Sequence, residues 1–157
     1  MCCNGVIFAD VKLQRDDDRA SLSALGLPIE VRLRAPRFRQ PCAALDGCVC
    51  QIYADRPKYC REFECYLLKN LEAGRLNMPG AKRVIRAARG RVRKVEKLLE
   101  SLGDTDTTIA LSQRFRRTAR RLERVGLDAR TGDLYGQLTL AMHGLNLLLA
   151  ESFYAVR

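Results

Sequence analysis

Seven cysteines crowd into the first 65 of 157 residues, and no other feature limits the folding of this chain so tightly: Cys2, Cys3, Cys42, Cys48, Cys50, Cys60 and Cys65. Their spacing is a CC pair, 38 residues, then C-x5-C-x-C-x9-C-x4-C. Thiolate sulfur is a strong ligand for zinc and for iron–sulfur clusters, and a tetrahedral site takes four donors. Seven thiols exceed one mononuclear site, which leaves room for two sites or for one bridged multinuclear site. The chain opens without a charged-then-apolar leader. The expectation is therefore a reducing, cytoplasmic setting in which clustered thiols serve as ligands or redox groups rather than as disulfides. Pairing would also strand one thiol of the odd set.

Local geometry constrains the set further. Cys48 and Cys50 flank a single residue, so an extended backbone would point both to one face and a turn could bring both to one ion. Cys60 and Cys65 lie about 140° apart around a regular helix, and one ion takes both only if the helix ends or bends before Cys65. Adjacent Cys2 and Cys3 splay apart on any regular backbone; they serve two metals, or one of them stays idle. Arg56, Lys58 and Arg61 can offset the charge of several thiolates, or they are solvated surface charge.

The remaining composition sorts the chain into two regions. At 47% hydrophobic it can bury a core, while 6% aromatics and no Trp argue against a stacking platform for single-stranded nucleic acid. Residues 1–74 carry 11 basic against 10 acidic side chains, residues 75–125 carry 15 against 5, and residues 126–157 carry 2 against 3. The net charge of +10 therefore belongs to the middle segment.

In residues 1–74, Val6–Leu13 has the β-branched and aromatic content of a short strand. The run Asp16, Asp17, Asp18 offers a cap for a short helix ended by Gly26. Pro28, Pro36 and Pro41 predict extended or looped chain between. Asp55 with Pro57 predicts a helix running through Lys69.

In residues 75–157, Val84, Ala88, Val92, Val95, Leu99 and Leu102 form one apolar helical stripe. A second stripe takes Leu111, Phe115, Ala119, Leu122 and Val125, ended by Gly126. A third helix opens near Thr131–Asp133 and is apolar on most sides. Its polar residues Gln137, His143, Asn146 and Glu151 make it a buried core helix rather than a membrane span. Short loops predict antiparallel neighbours. The fold class expected is thus mainly α, with an irregular cysteine-rich metal-binding module over residues 1–74 and a three-helix bundle over residues 75–157.

The segment QPCAALDGCVCQIYADRPKYCREFEC, residues 40–65, resembles the YkgJ-like cysteine-cluster family, a zinc- or iron-chelating domain. The matching pieces are Pro41-Cys42 with Ala43-Ala44-Leu45, Cys50-Gln51-Ile52-Tyr53, Asp55-Arg56-Pro57, Cys60-Arg61 and Phe63-Glu64-Cys65. Cys2-Cys3-Asn4-Gly5 looks like the end of the family's paired-cysteine motif. The resemblance covers about residues 1–70 and implies Cys2, Cys3, Cys42, Cys50, Cys60 and Cys65 as ligands. Cys48 lies outside the family pattern, as a substitute ligand or a spare. Family members carry one or two cysteines ahead of the pair, so a truncated start is expected. A similar cluster beside the flagellin lysine N-methylases keeps iron–sulfur in view.

Catalytic patterns are lacking. The chain has no G-x-G-x-x-G after a strand, no P-loop, no G-x-S-x-G, no H-E-x-x-H and no C-x-x-C. A cysteine nucleophile needs a base, and the sole histidine, His143, sits far away in the third helix, as a core or interface residue. Arg86, Arg89, Arg93 and Lys97 line one face of the first long helix, and Arg114, Arg117, Arg121 and Arg124 one face of the second. Such faces suit nucleic acid or another polyanion, or form an arginine-rich soluble surface.

The function these residues predict is non-catalytic, cytoplasmic metal binding without membrane insertion, with zinc ahead of iron. The alternatives are a nucleic-acid-binding protein with a structural zinc and an iron–sulfur or redox protein.

Overall fold

In the computed structural model, which describes residues 1–32 and 35–154, eleven elements follow one another. They are β1 (Asp10–Lys12), α1 (Arg19–Ala24), β2 (Glu30–Arg32), β3 (Ala35–Arg39), β4 (Leu45–Asp46), β5 (Val49–Cys50), α2 (Lys58–Glu62), α3 (Tyr66–Glu72), α4 (Met78–Ser101), α5 (Leu111–Val125) and α6 (Ala129–Ser152). They divide into two compact units, one of Met1–Phe63 with Asp106–Arg114, the other of Glu64–Thr105 with Phe115–Arg157.

The first unit is built on two small antiparallel sheets, ordered β1-β3-β2 and β4-β5. β3 is central, pairing Phe38 with Val11 and Pro36 with Val31. Pro36 lies opposite Leu13, one residue past the end of β1, so its missing N–H falls outside the β1-β3 ladder, and its carbonyl accepts from Leu13 N–H at 2.9 Å. Val11, Leu13, Leu22, Leu27, Phe38, Ala44 and Ile52 form the core, and Cys42, Cys50 and Cys60 pack against its edge.

The three consecutive aspartates divide their work. Asp18 caps α1 through Ala20 N and Ser21 N, at 2.9 and 3.1 Å, and the Ser21 hydrogen bonds hold its carboxyl below the usual range. Asp17 Oδ1 accepts from Lys58 N at 2.6 Å, and Asp16 pairs with Lys58 Nζ at 3.0 Å. Asp17, 41 residues away in the chain, thus caps the entry to α2. That helix stops at Glu62, and α3 starts afresh after Cys65.

In the second unit α4 and α6 pack most extensively. α4 buries Ala81, Ala88, Val92, Val95, Leu98 and Leu99, while α6 buries Leu138, Met142, Leu145 and Leu149. Arg91 donates to the Gly144 carbonyl on α6. Asp128 caps α6 through Thr131 N at 2.7 Å, and that contact lowers its carboxyl pKa. Leu140, 74% exposed, and Leu147 lie on the outer side, as does His143.

α5 buries only part of the stripe its apolar spacing predicts, Leu111 and Leu122, and adds Arg114 and Thr118 to it, while Phe115 and Ala119 are half-buried and Val125 is 81% exposed. Asp104, buried, accepts from Arg117 Nε at 3.0 Å, Arg117 Nη2 at 2.7 Å and Thr118 Oγ1 at 3.3 Å. Arg121 donates to the Leu102 carbonyl. A buried carboxylate outweighs one weakly apolar stripe because leaving it unpaired would cost more than exposing Val125 gains.

The expected fold class, an irregular cysteine-rich metal-binding module followed by a three-helix bundle, is corrected on three points. The N-terminal residues form regular sheets and short helices, because β3 pairs on both edges in spite of its proline. Six helices are present among the described residues, since the chain breaks between α2 and α3 where one helix was expected. And no group of three His, Cys, Asp or Glu side chains among the described residues stands ready to hold a metal ion. Among them, too, no helix is long and apolar enough to cross a membrane.

Candidate thiol cleft

The cysteines of the first unit arrive on four separate pieces of backbone. Cys2 and Cys3 lie in the N-terminal turn, which Gly5 closes at φ 76°. A Cβ at Gly5 would stand 3.0 Å from Ala110 Cα and 3.3 Å from Pro41 Cδ, so glycine is required both by backbone and by space. The same turn is fastened by Cys42 N–H donating to Cys3 O at 2.8 Å and Leu111 N–H to Gly5 O at 3.0 Å.

Cys48 and Cys50 sit on the β4-β5 hairpin, where Leu45 pairs with Cys50 and Asp46 with Val49. Its loop is Gly47-Cys48, with Gly47 at φ 55° and no positive φ at Cys48, the pattern of a type II′ turn. Cys48 is exposed at its tip and Cys50 is half-buried on the strand. Cys60 comes from α2, which Asp17 anchors.

These pieces converge on one cleft of about 470 Å³, whose walls include Cys2, Cys3, Cys42, Cys48, Cys50 and Cys60. One wall is aromatic, with Phe8 edge-on to Phe63 at 4.8 Å and to Tyr59 at 5.9 Å. Arg56 also lines the cleft, with its guanidinium 3.7 Å over the Tyr53 ring and Nε donating to Tyr53 O at 2.9 Å.

Electrostatics picks out an inner quartet. Burial raises the Cys3 thiol, and negative charge on Cys50 raises it further. Burial likewise raises Cys42, with added repulsion from Cys3 and Cys50. Cys60 is pushed up to about 12, by burial first and then by Cys3, Cys42 and Cys50. Arg56 opposes the rise at Cys3 and Cys60. Four thiols that feel one another's charge are neighbours, and at Cys3, Cys42 and Cys60 the protein alone favours the thiol over the thiolate.

One further side chain belongs to the site and was missed from the sequence. Gln40, 2% exposed, lines the cleft, and its Oε1 is buried without a hydrogen-bond partner among the described residues. A buried carboxamide oxygen without a donor costs free energy that a bound group would recover. Gln40 precedes the Pro41-Cys42 step, but nothing in its sequence position marks it as buried.

Of the predicted ligands, six therefore share a cleft and Cys65 does not. Cys65 is the N-cap residue of α3 and falls in the second unit. The thiols share a cleft without sharing a coordination sphere. The predicted basic face of α5 is largely used up internally, with Arg114 buried, Arg117 on Asp104 and Arg121 on Leu102.

Comparison with protein-family models, with curated proteins and with solved structures finds no match to this chain.

Proposed function

We propose that this protein binds a transition metal through cysteine thiolates, as a non-catalytic protein of the reducing cytoplasm. The observation that carries this reading is the convergence of six cysteines from four backbone segments on one cleft. Soft sulfur donors select zinc or iron–sulfur chemistry over hard cations. Cys3, Cys42, Cys50 and Cys60 are the ligands favoured by their mutual electrostatic coupling. Cys2 and Cys48 are the outer donors. This is the donor set that the resemblance to YkgJ-like proteins leads one to expect, less Cys65 and with Cys48 added.

The orphaned Gln40 oxygen and the thiolate-type donors fit a bound metal. A cation would offset the burial and the repulsion that raise Cys3, Cys42 and Cys60, so binding would draw the thiols together and expel their protons. Zinc, redox-silent and tetrahedral, would staple the short strands and loops of the first unit. A cleft of about 470 Å³ with more than four sulfur donors favours a multinuclear iron–sulfur group as the second reading. Contact with a polyanion, the other expectation from the sequence, is supported by α4 and is taken up below.

Anaerobic titration of the reduced protein with zinc, in competition with a chromophoric chelator, tests the reading. Tight binding is expected, weakened at least about tenfold by Cys42→Ser or Cys60→Ser and unchanged by Cys65→Ser. Equal affinity in wild type and both cleft variants would refute it.

A further inference from the structure

α4 presents a row of cations without partners among the described residues. Lys82, Arg86, Arg89, Arg93 and Lys97 are exposed and recur at spacings of 4, 3, 4 and 4, which places them on one face. At 1.5 Å per residue the row is about 22 Å long. Among the described residues, these five side chains make no hydrogen bond or ion pair. Arg83 and Lys94 flank the row and are exposed as well. Residues 78–97 contain eight basic side chains and one acidic one, Glu96.

Neighbouring cations at i, i+3 and i, i+4 repel, so the row destabilises its own helix. The chain does satisfy arginines elsewhere. Arg91, on the other side of α4, reaches the Gly144 carbonyl, while Arg117 and Arg121 are spent on Asp104 and Leu102. Repulsion retained on one face of α4, in a protein that gives Arg91, Arg117 and Arg121 partners, is the signature of an external anionic partner.

The geometry points to a nucleic-acid backbone as that partner, with α4 lying along it and the five cations of the row each meeting a phosphate. A straight, regularly spaced row suits a regularly spaced polyanion. The apolar face of α4 is already buried, through Ala88, Val92, Val95 and Leu99. Between the cations lie Ala87 and Gly90, and the exposed apolar side chain of α4, Met78, precedes the row by a turn, so the face lacks the continuous apolar stripe that inserts into a lipid surface. No aromatic side chain accompanies the row, which implies backbone contact without base readout. The inference stands independently of the metal.

Fluorescence anisotropy of the full chain with a labelled 25-base-pair duplex, at salt from about 50 to 200 mM, tests it. Five phosphate contacts give a slope of log K against log salt near −4.5, at about 0.9 per contact. The triple variant Arg86→Gln, Arg89→Gln, Arg93→Gln should flatten the slope by about 2.7. The triple variant with lysine at the same three positions should restore it. A control removing three exposed cations of the first unit, Lys12→Gln, Arg15→Gln, Arg19→Gln, has the same net charge and should leave the slope unchanged. Equal flattening by both glutamine triples would reduce the effect to net charge and overturn the assignment. No binding at the lowest salt, or tighter binding to phosphatidylserine-containing vesicles than to duplex, would overturn it too. Circular dichroism confirms that each variant is helical, and zinc titration on the same samples separates failure here from failure of the thiol site.

Discussion

Replacing Gln40 by Met should move the stability of the metal-free protein and its metal affinity in opposite directions. The side chain is 2% exposed and its Oε1 has no partner among the described residues. A buried polar atom left unsatisfied costs about 1–3 kcal/mol. Methionine has the same unbranched reach without a carboxamide, and a shape-conserving swap costs under about 1.5 kcal/mol. The net expectation for Gln40→Met without metal is a gain of about 1 kcal/mol. At a urea m-value of about 1 kcal/mol/M, the midpoint would rise by about 1 M. The carboxamide also lines the cleft, and removal of a polar group that supports a metal site typically costs about 10–100-fold in metal affinity. Urea unfolding with a chelator present reads the first effect, and competitive zinc titration the second. A variant that is less stable without metal, yet binds zinc as tightly as wild type, would refute the reasoning on both counts.

Three further outcomes follow from the same structure. Cys60 holds its proton up to about 12 in the folded, metal-free protein, whereas its ordinary value is 9.0. The folded state therefore binds more protons than the unfolded chain between these values. The stability this contributes is intact below pH 9 and is lost as pH rises towards 12, which urea midpoints across that range will show. Zinc loading at neutral pH should release about one proton per thiolate bound, measurable in weak buffer, with affinity rising with pH. Asp104→Ala should destabilise the protein by about 2–3 kcal/mol, because Arg117 and Thr118 lose a shared buried acceptor; circular dichroism melting reads this, and a loss under about 0.5 kcal/mol would contradict the network.

The long helices were legible in the sequence where burial follows a simple period. The Val84–Leu102 stripe and the capping Gly103 describe α4 closely, and Gly126 marks the end of α5. The inward face of α5 was legible only at Leu111 and Leu122, since Phe115, Ala119 and Val125 advertise an apolar stripe while Asp104, outside the helix, selects Arg117 and Thr118. Of the three-stranded sheet only β1 was legible, inside the expected Val6–Leu13 strand; β2 and β3 escaped notice because they are three and five residues long and the central one contains Pro36, normally a sign of loop. α2 was expected to be capped by Asp55, whereas the cap comes from Asp17 across 41 residues, which no local pattern reveals. For the site, the cysteines are visible by residue type, but which of them meet depends on the Gly47 turn and on the break between α2 and α3. Gln40 becomes a candidate only once its burial is known.

Metal content of the full chain purified without oxygen tests the central claim most directly. Elemental analysis and visible absorption of wild type beside Cys42→Ser and Cys60→Ser should find zinc or iron in the first and a marked loss in the other two. Folded wild-type protein that emerges with neither element would contradict the account.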